Sequence, residues 1–519
     1  MAELTLIQQV KHARRVSVPL VAITTPDPAA TLDGIAAAIN GVAPIISWDT
    51  DAGVVGVNGA GETLAEKLGG RKMAGNPLAI LSQAAAVVPP KAILAILQAD
   101  AWLDDPMVKQ AVWNLRDAYK VNHRMLVLLA DDLTLPGFLR NDVVQIDEPL
   151  PTAKQLEAIV VEADKSASVC PECRGSGKAK GLACEACKET GINPKRPLLK
   201  GDSLARAVEG VAGLAAFPAE QAVSMALRPD GVDLDHLWAT KRKAIEQTRG
   251  LSVYYGGETF EDLGGLGEIK SYLTDVMEGR EPPRVVVWLD EIEKSGLAHD
   301  SDLSGVNADQ LGTVLSYMED TEAFGVLAVG VAGSGKAAIW KAVGSTFGRM
   351  VIRLDLGAMQ GSLVGESQQN IRQALKVITG VGGESVLWIA TSNSVEGLDT
   401  ALRSRFVDTY FFDLPSADER KPIWEVWLKR YPEVDREQID DEGWVGRNIR
   451  QAVQKAWKQR KSLGHVAQRI IPQAIVEGQA IERLRAEADG RYLSASYPGV
   501  YRAPQGVASG PGRAVDLTE

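Results

Sequence analysis

Two short stretches of this chain carry residues whose types and spacing suit phosphate chemistry. The first is Gly330-Val331-Ala332-Gly333-Ser334-Gly335-Lys336-Ala337, which follows an apolar run at 325–329 and opens a segment of helical spacing at 337–344. A glycine-rich turn between a strand and a helix aims successive backbone N–H groups, and the positive end of the helix, at one anion. Lys336 then reaches the terminal phosphates of a nucleoside triphosphate such as ATP. The residue after this lysine is ordinarily Ser or Thr, whose hydroxyl ligates magnesium; here it is Ala337. The second stretch is an apolar strand, Val285–Leu289, ending in Asp290-Glu291. A carboxylate pair at a strand end can hold magnesium through Asp290 and polarise an attacking water through Glu291. The two stretches are the halves of an ATPase site in reverse order, the acidic strand coming before the phosphate loop.

A second kind of chemistry is confined to residues 170–187, which hold all four cysteines as Cys170-Pro-Glu-Cys173 and Cys184-Glu-Ala-Cys187. A disulfide framework would spread cysteines through the fold. Two CxxC pairs ten residues apart instead read as one tetrahedral zinc site. Four thiolates leave zinc no open position, so the role is structural. The flanking RGSG and KETG supply the tight turns that aim successive thiolates at one metal.

The elements that must position these residues form two α/β units. With 519 residues, the chain is too long for a single core. Apolar runs at 18–24, 42–48, 92–97 and Met125–Ala130 alternate with helical stretches, which implies a parallel sheet with helices on both faces for residues 1–150. The loop after its first strand, TTPDPAAT, has neither glycine nor lysine, so this unit has the fold of a nucleotide binder without its chemistry. Residues 151–235 read as a helical lid carrying the cysteine knuckle at 168–193, and 236–250 as a linking helix. A second α/β unit follows at 251–415, then a helical lid at 416–490 and a tail at 491–519 whose Gly- and Pro-rich end suits disorder. The expected architecture is two tandem α/β modules with helical lids, the first degenerate, plus a small zinc knuckle.

The net charge of −11 argues against an obligate nucleic-acid binder, since phosphate backbones are held by surplus Lys and Arg. No apolar run reaches the roughly 18 residues of a membrane span, and the first residues lack a signal-peptide core. Reduced cysteines and the absence of these signals point to the cytoplasm.

Several further motifs resemble those of the AAA ATPase module: FEDLGGL at 260–266, the phosphate loop, LVGESQQNIRQAL at 363–375, ATSN at 390–393 and LDTALRSRF at 398–406. The resemblance implies that Asp262, Gly264 and Gly265 lie on the adenine side and that Asn393 is the sensor orienting the attacking water. It implies that Arg403 and Arg405 reach a neighbouring subunit's site as arginine fingers. Within GWVGRNIRQAV at 443–453, Arg447 would be the second sensor. It further implies a homo-oligomeric ring, a hexamer, acting on a protein client. The chain as a whole resembles a cyanobacterial and plastid-type AAA ATPase family with a degenerate N-terminal half, through LVAITTP, LAILQADAWL and RYLSASYPGVYR. The cysteine segment is similar to the knuckles of the DnaJ zinc domain, with Glu189 in place of a glycine.

Three departures stand out. The acidic strand is transposed, which still permits an intact sheet if it borders the sensor strand and that strand borders the phosphate-loop strand. Ala337 removes a magnesium ligand. Leu363 stands where protein-threading members carry an aromatic residue. The expected activity is ATP hydrolysis by a remodelling enzyme; the alternative is an ATP-gated assembly scaffold that barely hydrolyses.

Overall fold

The computed structural model describes residues 5–39, 43–131, 133, 135–179, 182–196, 198–254, 257–295, 306–359, 366–383, 385–394 and 405–504. They divide into two compact units, one comprising residues 1–151 and 215–221 and the other 152–214 and 222–519.

In the N-terminal unit a six-stranded sheet runs in the order Gly53–Gly56, Ile45–Asp49, Ile93–Leu97, Met125–Ala130, Leu20–Thr24, Val144–Asp147. All pairs are parallel except the outer Gly53–Gly56 hairpin arm. The inner strands are continuous Ile/Leu/Val runs because both faces are covered. Met125–Ala130 is buried along its whole length. The two edge strands escape sequence reading: they are only four residues long and partly exposed.

The C-terminal unit holds a seven-stranded sheet in the order Leu251–Tyr254, Met350–Leu354, Val285–Leu289, Val386–Ser392, Phe324–Gly330, Asp408–Phe412, Leu493–Ser494. Only Leu251–Tyr254 runs antiparallel to its neighbour. The acidic strand Val285–Leu289 pairs with Val386–Ser392, which pairs on its other side with the phosphate-loop strand Phe324–Gly330. This is the adjacency that the transposed order requires, so reversal along the chain leaves neighbours in space unchanged. Val287, Val329, Trp388 and Ile352 build the core on one sheet face; Trp288, Ala328, Ile389 and Trp340 build it on the other.

The helices Ala153–Ala167, Gly201–Val211 and Leu234–Gln247 group with this second unit, and Ile245 is buried in its sheet core. The C-terminal helical layer consists of Ala417–Arg430, Gly446–Gln459, Leu463–Ala467, Gln473–Val476 and Gly478–Ala488. It closes over Trp424, Trp444, Ile449 and Val453. The chain then returns to the sheet: Leu493–Ser494 pairs with Tyr410–Phe411, and Tyr501 packs against Phe411 with the rings tilted, 4.5 Å between centroids. The segment up to residue 504 is therefore built into the unit, while 505–519 lie outside the described residues. No described helix is long and apolar enough to cross a membrane.

Candidate functional site

Parallel strands with helices on both faces leave their carboxyl ends as the place where loops converge. Three adjacent strands of the C-terminal sheet end there: the acidic strand in Asp290-Glu291, the strand Val386–Ser392 in Asn393, and the phosphate-loop strand in Gly330.

The phosphate loop turns into helix Lys336–Phe347. Lys336 is buried, and its Nζ donates to the Gly330 and Val331 carbonyls at 2.7 and 2.9 Å. Burial pushes its ammonium down to about 8, against the opposing charges of Glu293 and Glu291. Ser334 Oγ is buried with no hydrogen-bond partner, a polar atom in the loop left for a ligand to satisfy. Ala337 is on the exposed side of the first helical turn. Arg447 lies over the loop: a methyl group on Gly333 would come within 3.0 Å of Val445 and 3.2 Å of Arg447.

Asp290 accepts from Thr391 Oγ1 at 3.0 Å and faces Arg353 Nη2 at 3.5 Å. Desolvation nonetheless raises its carboxyl above the ordinary range, so Arg353 and Thr391 undercompensate its charge. An undercompensated, half-buried carboxylate fits a cation ligand, and Asp290 is the residue that would hold magnesium; Ala337 offers no second oxygen. Glu291 adopts a left-handed backbone at φ 48°, and its N–H donates to Thr391 Oγ1 at 3.1 Å. Asn393 Nδ2 donates to Glu291 Oε1 at 3.2 Å.

The entry segment sits between the loop and the helical layer. Asp262 accepts from the Thr259 N–H at 2.9 Å and pairs with Arg430 at 3.4 Å; the Thr259 N–H first, and then Arg430, hold its carboxyl low. A methyl group on Gly264 would strike Ile423 N at 2.3 Å, and the Leu266 N–H next to Gly265 donates to Glu419 at 3.4 Å. Arg405 pairs with Glu319 of the same chain at 2.6 Å. Arg403 and the 361–365 loop containing Leu363 lie outside the described residues. Sequence reasoning passed over Glu293, Thr391 and Arg353. Thr391 lies inside ATSN and was within reach of a reading that followed the strand ends, whereas the reach of Glu293 depends on the left-handed turn at Glu291.

The four cysteines are buried, with their sulfur atoms all within 4.8 Å of one another. The knuckle repeats itself with an offset of fourteen residues. Cys170 N donates to Gly191 O at 2.8 Å and Cys184 N to Gly177 O at 2.9 Å. The Ser176 and Thr190 hydroxyls donate to the Cys173 and Cys187 carbonyls at 2.7 and 2.6 Å. Gly177 and Gly191 both have left-handed φ, and a methyl group on either would come within 2.4 Å of a carbonyl of the other half. Four converging thiols without a disulfide fit one tetrahedral thiophilic ion, for which Cys170, Cys173, Cys184 and Cys187 are the ligand set. Buried Arg196 anchors the base, pairing with Asp164 at 2.7 Å and bonding to the Ser168 hydroxyl.

In the N-terminal unit the loop after the first strand is occupied by acids. Asp27 caps helix Pro28–Ala38, and Thr31 Oγ1 donates to Glu148 at 2.6 Å. Carboxylates at this helix end repel a phosphate, in keeping with the missing glycines and lysine.

A sheet whose phosphate loop, acidic pair and polar strand end meet at one edge defines a nucleotide-binding module of the AAA type. Residues 326–380 match the profile of the ATPase family associated with various cellular activities (AAA), and residues 6–148 match the SpoVK-like AAA ATPase N-terminal domain. The chain is similar to the uncharacterized AAA domain-containing protein ycf46 of Guillardia theta (22% identity, covering 63% of this chain and 62% of that protein). It is also similar to ycf46 of Pyropia yezoensis (20% identity, 76% and 81% covered). A putative 26S proteasome regulatory subunit homolog of Methanocaldococcus jannaschii matches over 96 residues at 31% identity, covering 17% of this chain and 26% of that one. The chain thus spans about three fifths of the Guillardia relative's length. These matches support an AAA ATPase of the ycf46 type. The AAA match stops at residue 380, where the usual order would continue into the acidic strand that this chain places upstream.

Proposed function

We propose that this chain binds ATP with magnesium on Gly330–Ala337 and hydrolyses it, working as a hexameric ring that remodels a protein client in the cytoplasm. The observation that supports this best is the Asn393 amide bonded to Glu291, one strand away from Lys336, despite the reversed chain order. The backbone N–H groups of residues 330–337 and Lys336 hold the phosphates. Glu291 accepts a proton from the attacking water, which Asn393 orients. Asp262, Gly264 and Gly265 flank the adenine, and Arg447 senses the terminal phosphate from the helical layer. Arg403 and Arg405 stabilise transition-state charge in the neighbouring site. Asp290 would hold magnesium, which when bound would neutralise phosphate charge. Zinc on the four cysteines is structural, and the knuckle and the N-terminal unit serve recruitment of the client.

Ala337 favours a second reading, an ATP-gated scaffold that binds tightly and turns over little. Steady-state turnover with magnesium separates the two, run beside Lys336→Ala and Glu291→Gln with nucleotide binding measured on the same samples. Turnover lost in both variants supports the enzyme. Tight binding without turnover in the parent protein leaves the scaffold.

A further inference from the structure

The least explained group at the strand ends is the Glu293 carboxylate. Its position follows from the residue before the turn. Glu291 leaves the acidic strand in a left-handed conformation, which costs a non-glycine residue about 1–2 kcal/mol and reverses the chain into the short turn Ile292–Ser295. The reversal carries Glu293 sideways, over the end of the neighbouring strand. There its Oε1 accepts from the Asn393 backbone N–H at 3.1 Å and from Asn393 Nδ2 at 3.0 Å. The same Nδ2 donates to Glu291 Oε1 at 3.2 Å. Its two protons are thus shared between two carboxylates, which leaves the Asn393 carbonyl oxygen directed away from both.

We propose that Glu293 is a positioning residue for hydrolysis: it grips Asn393 at both nitrogens and so sets which way the Asn393 amide faces the attacking water and Glu291.

Three features set this apart from an ordinary strand-end cap. A cap satisfies one backbone N–H, whereas Glu293 holds the backbone and the side chain of the same residue. Its second oxygen, Oε2, is buried with no hydrogen-bond partner, so part of the carboxylate's desolvation is left uncompensated. Its charge also opposes the burial of Lys336, ahead of that of Glu291. A residue retained only for packing would have no need of a buried charge here, and an amide or apolar side chain would cost less. The amide that Glu293 holds also links Asn393 to Glu291, so freeing it loosens both groups together.

The proposal rests on the hydrolase reading, and the experiment keeps the two apart. Full-length protein is compared with Glu293→Ala, Asn393→Ala, the double variant and Glu293→Gln, measuring magnesium-ATP turnover and the dissociation constant of a fluorescent ATP analogue. Expected is a fall in kcat of about a hundredfold for Glu293→Ala, with nucleotide affinity kept within about threefold. The double variant should be no slower than Asn393→Ala, because Glu293 acts through Asn393. The isosteric Glu293→Gln keeps a carbonyl oxygen able to accept from both Asn393 donors, which meet the same Oε1, but loses the charge, and should fall between parent and Glu293→Ala. Full turnover in an active Glu293→Ala protein, losses that multiply in the double variant, or equal losses of affinity and kcat would each overturn the positioning role alone. A parent protein that binds the analogue without turning over ATP overturns the hydrolase reading, and this role with it.

Discussion

Arg405 Nη2 lies 2.6 Å from Glu319 Oε2, an ion pair between a residue ahead of the strand Asp408–Phe412 and the helix Val306–Asp320 that the transposition moves upstream. In the usual order these two segments are separated by a different stretch of chain. Here the helix that follows the acidic strand leads directly into the phosphate-loop strand, and Glu319 near its end meets Arg405. An arginine that is to act on a neighbouring site must first leave this partner.

The pair is partly exposed, so it stabilises by about 0–1 kcal/mol and is screened by salt. Glu319→Ala should therefore raise turnover modestly, by about threefold at low ionic strength, and the gain should vanish in high salt. Arg405→Ala should lower turnover in either background. Turnover of the Glu319→Ala protein measured across a salt series tests this; a loss of activity at every salt would mean that the pair serves the active arrangement.

Ala337 sits on the exposed side of the first helical turn, so a hydroxyl there meets no packed neighbour. Ala337→Ser restores the magnesium ligand that the loop ordinarily supplies. Turnover should rise by about tenfold, with a lower magnesium requirement and nearly unchanged ATP affinity. Parallel magnesium titrations of parent and variant decide the matter, and superimposable curves would show that water already fills that ligand position.

Much of this site is legible in the sequence because its parts are local: the phosphate loop, DE after five apolar residues, and ATSN each declare themselves within eight residues. The strand adjacency was also within reach, since transposed connections can join only near neighbours. What escaped reading is set by geometry that composition does not encode. Glu293 reaches Asn393 only because Glu291 turns left-handed, a conformation for which glutamate carries no signal. The last strand, Leu493–Ser494, is two residues long and is held by pairing with Tyr410–Phe411 and by Tyr501, which donates to Asp413 at 2.6 Å. Helices at 152–247 are visible as helices. Their grouping with the second unit depends on contacts such as Ile245 in its sheet core, far away along the chain.

The knuckle's internal symmetry predicts equal sensitivity of its two halves. Gly177→Ala and Gly191→Ala each force a methyl group within 2.4 Å of a carbonyl at a left-handed φ. Each should cost about 1–3 kcal/mol locally and weaken metal retention similarly. Purified parent protein should carry one zinc per chain, and Cys173→Ser should lose most of it. Metal analysis after dialysis against a chelator reads all three; full retention in both glycine variants would show that the turns adapt.

Lys336 gives the site a pH limit whose sign can be worked out. Its ammonium is pushed down to about 8 by burial, while Glu293 and Glu291 hold it up. The charged form binds phosphate, and bound phosphate favours that charged form, so binding takes up a proton above this pH. Affinity for ATP should be level below about pH 8 and fall by up to about tenfold per unit above it. Glu293→Gln removes the strongest opposing charge, so its decline should begin at lower pH. Lys336→Arg stays charged throughout and should bind with a flat profile over the same range. Equilibrium titrations of the three proteins between pH 6.5 and 9.5 with one nucleotide analogue test the order, each pH being about a unit or more from the ordinary lysine value at its alkaline end. A parent profile as flat as that of Lys336→Arg would mean that Lys336 keeps its proton in the folded chain, and that the carboxylates of Glu291 and Glu293 outweigh its burial.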